Sequence, residues 1–229
     1  MKTIELLKIL QEYPLFTEND VAKIVDKHAD YVKTLLYRLG KQKLIHRIER
    51  GKYTLHDDVF IFASCICIPS YISLWTALRH YNLTEQLPKT IFVVVPKPKR
   101  SFKFQSTSIE FVKSRHFFGF RKERYRDFDI FIAEPEKAVI DSLLSKKIPF
   151  DEIVKAIKTN ELVTEKLIDY SIRTKNKSLI KRLGFILEEE HLECKKLKKF
   201  VDNNYTRLDL MLGRTGKKNK KWKIIDNRR

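Results

Sequence analysis

The chain has 229 residues, 47 Lys/Arg against 29 Asp/Glu (net +18), and 43% hydrophobic residues. That length leaves room for two domains with real cores, and so positive a field favours DNA or RNA as partner over an anionic membrane. The odd cysteine count argues against a secreted disulfide framework, and six glycines leave no Gly-rich phosphate loop.

The first residues read as an amphipathic helix on Ile4, Leu7 and Leu10 rather than as a signal peptide, so the expected compartment is the cytoplasm. Thr17 stands at a helix start with Asp20 three residues on, a capping-box spacing, and Phe16 just before it is placed to staple onto the helix. Val21, Ile24 and Val25 supply that helix's apolar side, and Asp26–Asp30 is a short polar turn. A second helix is predicted over Ala29–Lys41, with Val32, Leu35, Leu36 and Leu39 at helical spacing and Gly40 as a left-handed C-terminal residue. Two strand-like runs, 44–48 and 52–55, flank the turn Glu49-Arg50-Gly51. Together these elements read as a helix-turn-helix followed by a two-stranded wing.

With the leucines inward, the second helix turns Tyr31, Lys33, Thr34, Tyr37, Arg38 and Lys41 outward, where side chains can reach base edges in a DNA groove. Arg47, Arg50 and Lys52 on the wing are expected at the flanking backbone or minor groove. The competing reading is a small helical domain for protein contacts whose Lys and Arg only solvate its surface. Residues 1–58 hold 11 Lys/Arg and 9 Asp/Glu, so any attraction there comes from where the charges sit.

Asp57-Asp58 marks a seam, after which aromatic and β-branched segments alternate with helices. Val59–Ile68 reads as a strand, 70–81 as a helix, and Thr90–Val95 as an apolar strand. The runs 108–113 and 115–120 read as a strand pair followed by a charged stretch, and Phe128–Ile132 as a further strand. A helix then opens with Pro135 in its first turn and Glu136 against its dipole. From Pro149 on the pattern is helical, with helices opening near 150 and 164, over 177–190 and over 193–205, and a strand at 207–212. The tail 214–229 carries eight Lys/Arg around Trp222. It is read either as a flexible arm that finds phosphates and stacks Trp222 on a base, or as a merely solvated terminus.

The expected class is therefore α+β: a winged helix-turn-helix domain over 1–58, a mixed α/β domain over 59–148, and a helical C-terminal region with a basic tail over 149–229. Cys65, Cys67 and Cys194 make no metal set; Cys65 and Cys67 are expected as buried structural thiols rather than a disulfide or ligand pair, and no cofactor or metal is expected. Glu134, Glu136 and Asp141 near Lys137, and Asp127 with Asp129, are the only acidic groupings that suggest catalysis. Helix-dipole complementation and an i,i+4 pair account for the first group as well.

The blocks SYISLWTALRHYNLTEQLP (70–88), TIFVVV (90–95), RHFFGF (115–120) and FIAEPEKAVIDSLL (131–144), in that order behind a winged helix, resemble the AbiEi-type antitoxins of type IV toxin–antitoxin systems. The resemblance spans about residues 3–147. It implies an N-terminal domain that binds and represses the promoter of its own operon. It also implies a second domain that counters a nucleotidyltransferase-like toxin, without requiring a stable complex. A DNA-targeted nuclease or modification enzyme, and an RNA-binding or protein-docking module, stay open beside this reading, as do monomer and dimer.

Overall fold

The computed structural model describes residues 2–159 and 161–228. The chain is α+β, with helices and three sheets among the described residues. It divides into two compact units that are not the consecutive segments expected from sequence. The first gathers residues up to 72 with 89–114 and 122–132, and the second gathers 73–88, 115–121 and the chain from 133 onward. Asp57-Asp58 is accordingly no seam: Asp58 accepts from the Tyr125 hydroxyl at 3.0 Å and from the Phe60 N–H at 3.0 Å.

The first unit opens with α1 (Thr3–Leu10), β1 (Phe16–Thr17), α2 (Glu18–Val25), α3 (Ala29–Lys41) and the hairpin β2 (His46–Glu49) and β3 (Lys52–Thr54). Capping chemistry fixes the start of α2. Thr17 Oγ1 accepts the Asp20 N–H at 3.3 Å, and the Asp20 carboxylate accepts the Thr17 N–H at 2.8 Å, satisfying donors the helix leaves orphaned. Asp26, left-handed at φ 52, ends it. The stripe Val32, Leu35, Leu36 and Leu39 of α3 packs with Leu6, Leu10, Phe16, Val21 and Ile45 in one core. On α1 the buried pair is Leu6 and Leu10, while Ile4 is 69% exposed, so the expected stripe is off by part of a turn. Gly40 stays helical; Lys43 (φ 57) takes the left-handed position, and the Leu44 N–H reaches back to the Leu39 carbonyl at 3.0 Å. β1 adds a third strand that sequence did not suggest, pairing Phe16 with Tyr53 and giving the order β1-β3-β2.

Val59–Ile68 is not a strand. It forms α4 (Val59–Phe62) and a 3-10 turn (Ala63–Cys65), with Val59, Ile61, Phe62, Ala63 and Ile66 all buried. A continuous apolar run does not distinguish a buried strand from a buried helix, and the Asp58 cap decides it. Cys65 and Cys67 are consequently only half-buried, and Cys194 is buried. β4 (Tyr71–Ile72) precedes α5 (Leu74–His80), so the expected helix over 70–81 is shortened to give the sheet a central rung. Ile72 pairs with Val93 on one side and Ile132 on the other. With β5 (Thr90–Val95), β6 (Phe102–Phe104), β7 (Thr107–Lys113), β8 (Phe120–Tyr125) and β9 (Phe128–Ala133), the sheet order is β6-β7-β5-β4-β9-β8. β7 runs parallel to β5, so the expected pairing of 108–113 with 115–120 does not form. The charged run after 120 is itself the edge strand β8, where Arg, Lys and Glu discourage further pairing.

The second unit holds α5 with α6 (Pro135–Leu144), α7 (Phe150–Lys158), α8 (Thr164–Arg173) and α9 (Lys177–Glu189). A 3-10 helix (Lys195–Phe200) and the strands β10 (Thr206–Arg207), β11 (Lys217–Asn219) and β12 (Ile224–Asp226) complete it. Residues 115–121 belong here because Phe118 is held between the Tyr170 ring (5.5 Å between centroids) and the Arg173 guanidinium (4.2 Å). α6 starts on Pro135 as expected, and Arg182 of α9 donates to the Leu143 carbonyl at its C-terminus, the negative end of the helix dipole. The region is not wholly helical. The predicted helix over 193–205 contracts to the 3-10 helix, and the tail, expected as a flexible arm or solvated end, folds into a sheet of order β10-β12-β11. Trp222 is fully buried against Gly184 and donates its indole N–H to Glu188 at 2.9 Å, so it offers no face to a base.

Candidate nucleic-acid interface

The buried stripe of α3 dictates what its other side presents. Tyr31, Lys33, Thr34, Tyr37, Arg38 and Lys41 are all exposed, Tyr37 at 66%. Lys33 sits 3.6 Å from Asp30, an ion pair so open to water that it contributes little and exchanges freely. Thr34 Oγ1 donates to the Asp30 carbonyl at 3.0 Å, which leaves its methyl as the group directed away from the backbone. Lys41 Nζ lies 5.6 Å from the centre of the Tyr37 ring.

Arg47 and Arg50 of the hairpin are also exposed. With Lys33, Tyr37 and Lys41 they line a groove of about 650 Å³ between α3 and the hairpin. Among the groove residues that sequence reasoning missed are His46, Glu18, and Tyr53, whose hydroxyl donates to Glu18 at 3.4 Å. Burial first, and then the Glu18 carboxylate, push the Tyr53 pKa up and keep it a neutral donor. Glu18 gave no signal beyond an acid in a first helical turn. Tyr53 was legible as the position between Lys52 and Thr54 in an alternating strand.

Lys52 does not join this face. Its ammonium donates to the Ile66 carbonyl and pairs with Glu49 at 2.7 Å, while the other Glu49 oxygen pairs with Lys99 at 2.6 Å. Burial works against the Glu49 charge, but hydrogen bonds from Lys52 and Lys99 overcome it and hold the carboxyl below the usual glutamate range. Lys52, expected at the DNA, instead has its charge engaged by partners within the first unit.

The acidic groupings are likewise committed. Lys137 donates to Asp141, whose second oxygen accepts the Ser73 hydroxyl at 2.8 Å, and all three residues are buried. Glu134 accepts the Tyr170 hydroxyl, and both Glu134 and Glu136 lie 3.3 Å from Lys166. Asp129 pairs with Lys122 at 2.6 Å. Asp127 and Asp129 fall in the first unit, and Glu134 and Lys137 in the second. Among the described residues no group of three His, Cys, Asp or Glu is placed to hold a metal ion, and no helix is long and apolar enough to cross a membrane.

No protein-family model matches the sequence, and no curated protein matches it.

Proposed function

We propose that residues 3–55 form a winged helix-turn-helix, with α3 as recognition helix and the β2–β3 hairpin as wing, and that the chain binds double-stranded DNA sequence-specifically. In this reading it represses its own operon in the cytoplasm and serves as antitoxin to a nucleotidyltransferase-like toxin, with no catalytic activity and no cofactor of its own. The observation that carries DNA binding is the convergence of Lys33, Tyr37 and Lys41 of α3 with Arg47 and Arg50 of the hairpin on one open groove. Phenol hydroxyls and guanidinium forks are the groups suited to base edges and phosphates, and a helix with its apolar stripe buried presents them as a fixed set.

The test is operator affinity of Lys33→Ala, Tyr37→Ala and Arg38→Ala at two salt concentrations. Loss of a base contact costs about 1–3 kcal/mol and narrows the gap between operator and random DNA, whereas loss of a phosphate contact lowers the salt slope by about 1. Variants with unchanged affinity and unchanged slope remove α3 from the interface.

The antitoxin role rests on the resemblance of residues 3–147 to AbiEi-type antitoxins. Co-expression with the product of the adjacent reading frame tests it: growth arrest by that product, relieved by this chain without a stable complex, is the expected result. Metal-dependent cleavage of DNA or RNA by the purified chain would instead make it an enzyme.

A further inference from the structure

The positive charge of the second unit's C-terminal half is concentrated in one short stretch. Residues 151–190 hold eight Lys/Arg and eight Asp/Glu, whereas residues 191–229 hold thirteen against four. The folding of the tail turns that stretch into a surface. Lys221 of the β11–β12 turn pairs with Glu188 of α9, and the 3-10 helix and β12 both pack on α9, which places the two lysine runs, 195–199 and 217–223, on elements that share one helix. Lys218 and Lys223 lie 5.5 and 5.6 Å from the centre of the Tyr205 ring, fixing two more ammonium groups against the same small sheet.

The nearby carboxylates are already engaged. Glu188 takes Lys221 and the Trp222 indole, Glu189 and Asp226 take Arg228, and Asp202 takes the buried Lys181. Lys195, Lys199, Lys217, Lys218, Lys220 and Lys223 make no ion pair with a carboxylate among the described residues. Unneutralised ammonium groups held at this density on a folded scaffold repel one another, and a polyanion that releases its counterions relieves that repulsion.

The aromatic groups decide which polyanion fits. Binding to single strands relies on aromatic faces that stack on unpaired bases. Trp222 is sealed against Gly184, and Tyr205 is overlaid by two ammonium groups, so these lysines meet phosphates and not bases. We infer that the lysine surface of the 3-10 helix and the β11–β12 turn binds the phosphate backbone of duplex DNA without regard to sequence, as a contact separate from α3. The choice of DNA rests on the function proposed above; the cationic surface does not.

The experiment compares the full-length chain with the variant carrying Lys195→Gln, Lys199→Gln, Lys217→Gln and Lys220→Gln. All four residues are exposed, and an unchanged thermal midpoint checks that the module is intact. Binding to random-sequence duplex DNA is measured by anisotropy across a salt series. The expected result is an affinity loss of about tenfold or more at low salt and a salt slope lower by about 1 per lysine. The ratio of operator to random affinity should be unchanged. An unchanged slope overturns the proposal, as does tighter binding to single-stranded DNA, to duplex RNA or to phosphatidylserine vesicles than to duplex DNA. The α3 variants fail differently: they alter the operator-to-random ratio, so loss of one contact is distinguishable from loss of the other.

Discussion

Removing Glu49 tests whether the hairpin is fixed by the three-residue clamp beside its turn. Its carboxylate bridges Lys52 at 2.7 Å and Lys99 at 2.6 Å, with all three side chains between 24% and 30% exposed. At an effective dielectric near 20 each contact is worth roughly 6 kcal/mol before desolvation, most of which burial of the charges cancels. The net effect follows from what is left behind. Glu49→Ala leaves two part-buried ammonium groups facing each other, and breaking such an arrangement costs about 3–5 kcal/mol when fully buried; at a quarter exposure about 2 kcal/mol is expected. Glu49→Gln, which keeps an acceptor, costs about 1 kcal/mol. Because the folded carboxyl titrates below the usual glutamate range, its contribution is complete above the ordinary glutamate pKa and disappears as pH falls through the folded value. Urea unfolding of wild type and both variants at pH 7 and below about pH 4 reads this directly. Equal stability at pH 7, or a gap that persists undiminished in acid, would refute the clamp. The paired test uses DNA: Arg50→Ala lowers the salt slope by about 1, whereas Lys52→Ala lowers stability and leaves the slope alone. A slope loss in Lys52→Ala would mean that its ammonium faces the duplex after all.

Three further changes probe the elements that hold the surfaces in place. Gly184→Ala puts a methyl 2.1 Å from the Trp222 ring, so α9 and the terminal sheet must separate; a loss of about 3 kcal/mol and faster amide exchange in β12 are expected. Asp141→Ala strands the buried Lys137 ammonium at a cost of about 3–5 kcal/mol, and Lys137→Met combined with Asp141→Leu should recover most of it, as thermal unfolding will register. Thr17→Ala removes the α2 cap and costs about 1 kcal/mol in urea, with operator affinity unchanged where the protein is fully folded.

Where one signal dominated, the sequence was readable. Ala29–Lys41 is a helix to the residue because four apolar positions at helical spacing leave a single face to bury, and Thr90–Val95 is a strand because the unbroken apolar run after Thr90 fits a strand whose last four residues are buried. Val59–Ile68 misled because its apolar run has no period, so a single carboxylate cap at Asp58 chose the helix. Residues 115–120 read as a strand on aromatic content, yet the Phe118 ring packs on Tyr170 and Arg173, partners more than fifty residues away that no local pattern reveals. The nine outward residues proposed for the interface came from face assignment alone, which is reliable on a helix and weaker on a two-stranded hairpin. Lys52 turns its ammonium to the Ile66 carbonyl and to Glu49, which alternation along a strand does not report.

The distribution of charge bears on how such a protein would discriminate among DNA sequences. A head of net +2 attracts any duplex only weakly, so its binding free energy would depend mostly on base-edge contacts, and its preference for one sequence over random DNA would be large relative to its affinity. In this proposal affinity comes from elsewhere, and the lysine surface within residues 191–229, with thirteen basic residues against four acidic, would supply much of it. Separating the two contributions keeps the sequence-independent term from masking the specific one. It follows that raising salt should weaken operator and random DNA in nearly the same proportion, with the ratio between them changing far less than either affinity. A ratio that collapsed together with affinity would show that specificity and attraction reside in the same phosphate contacts, and that α3 reads no bases.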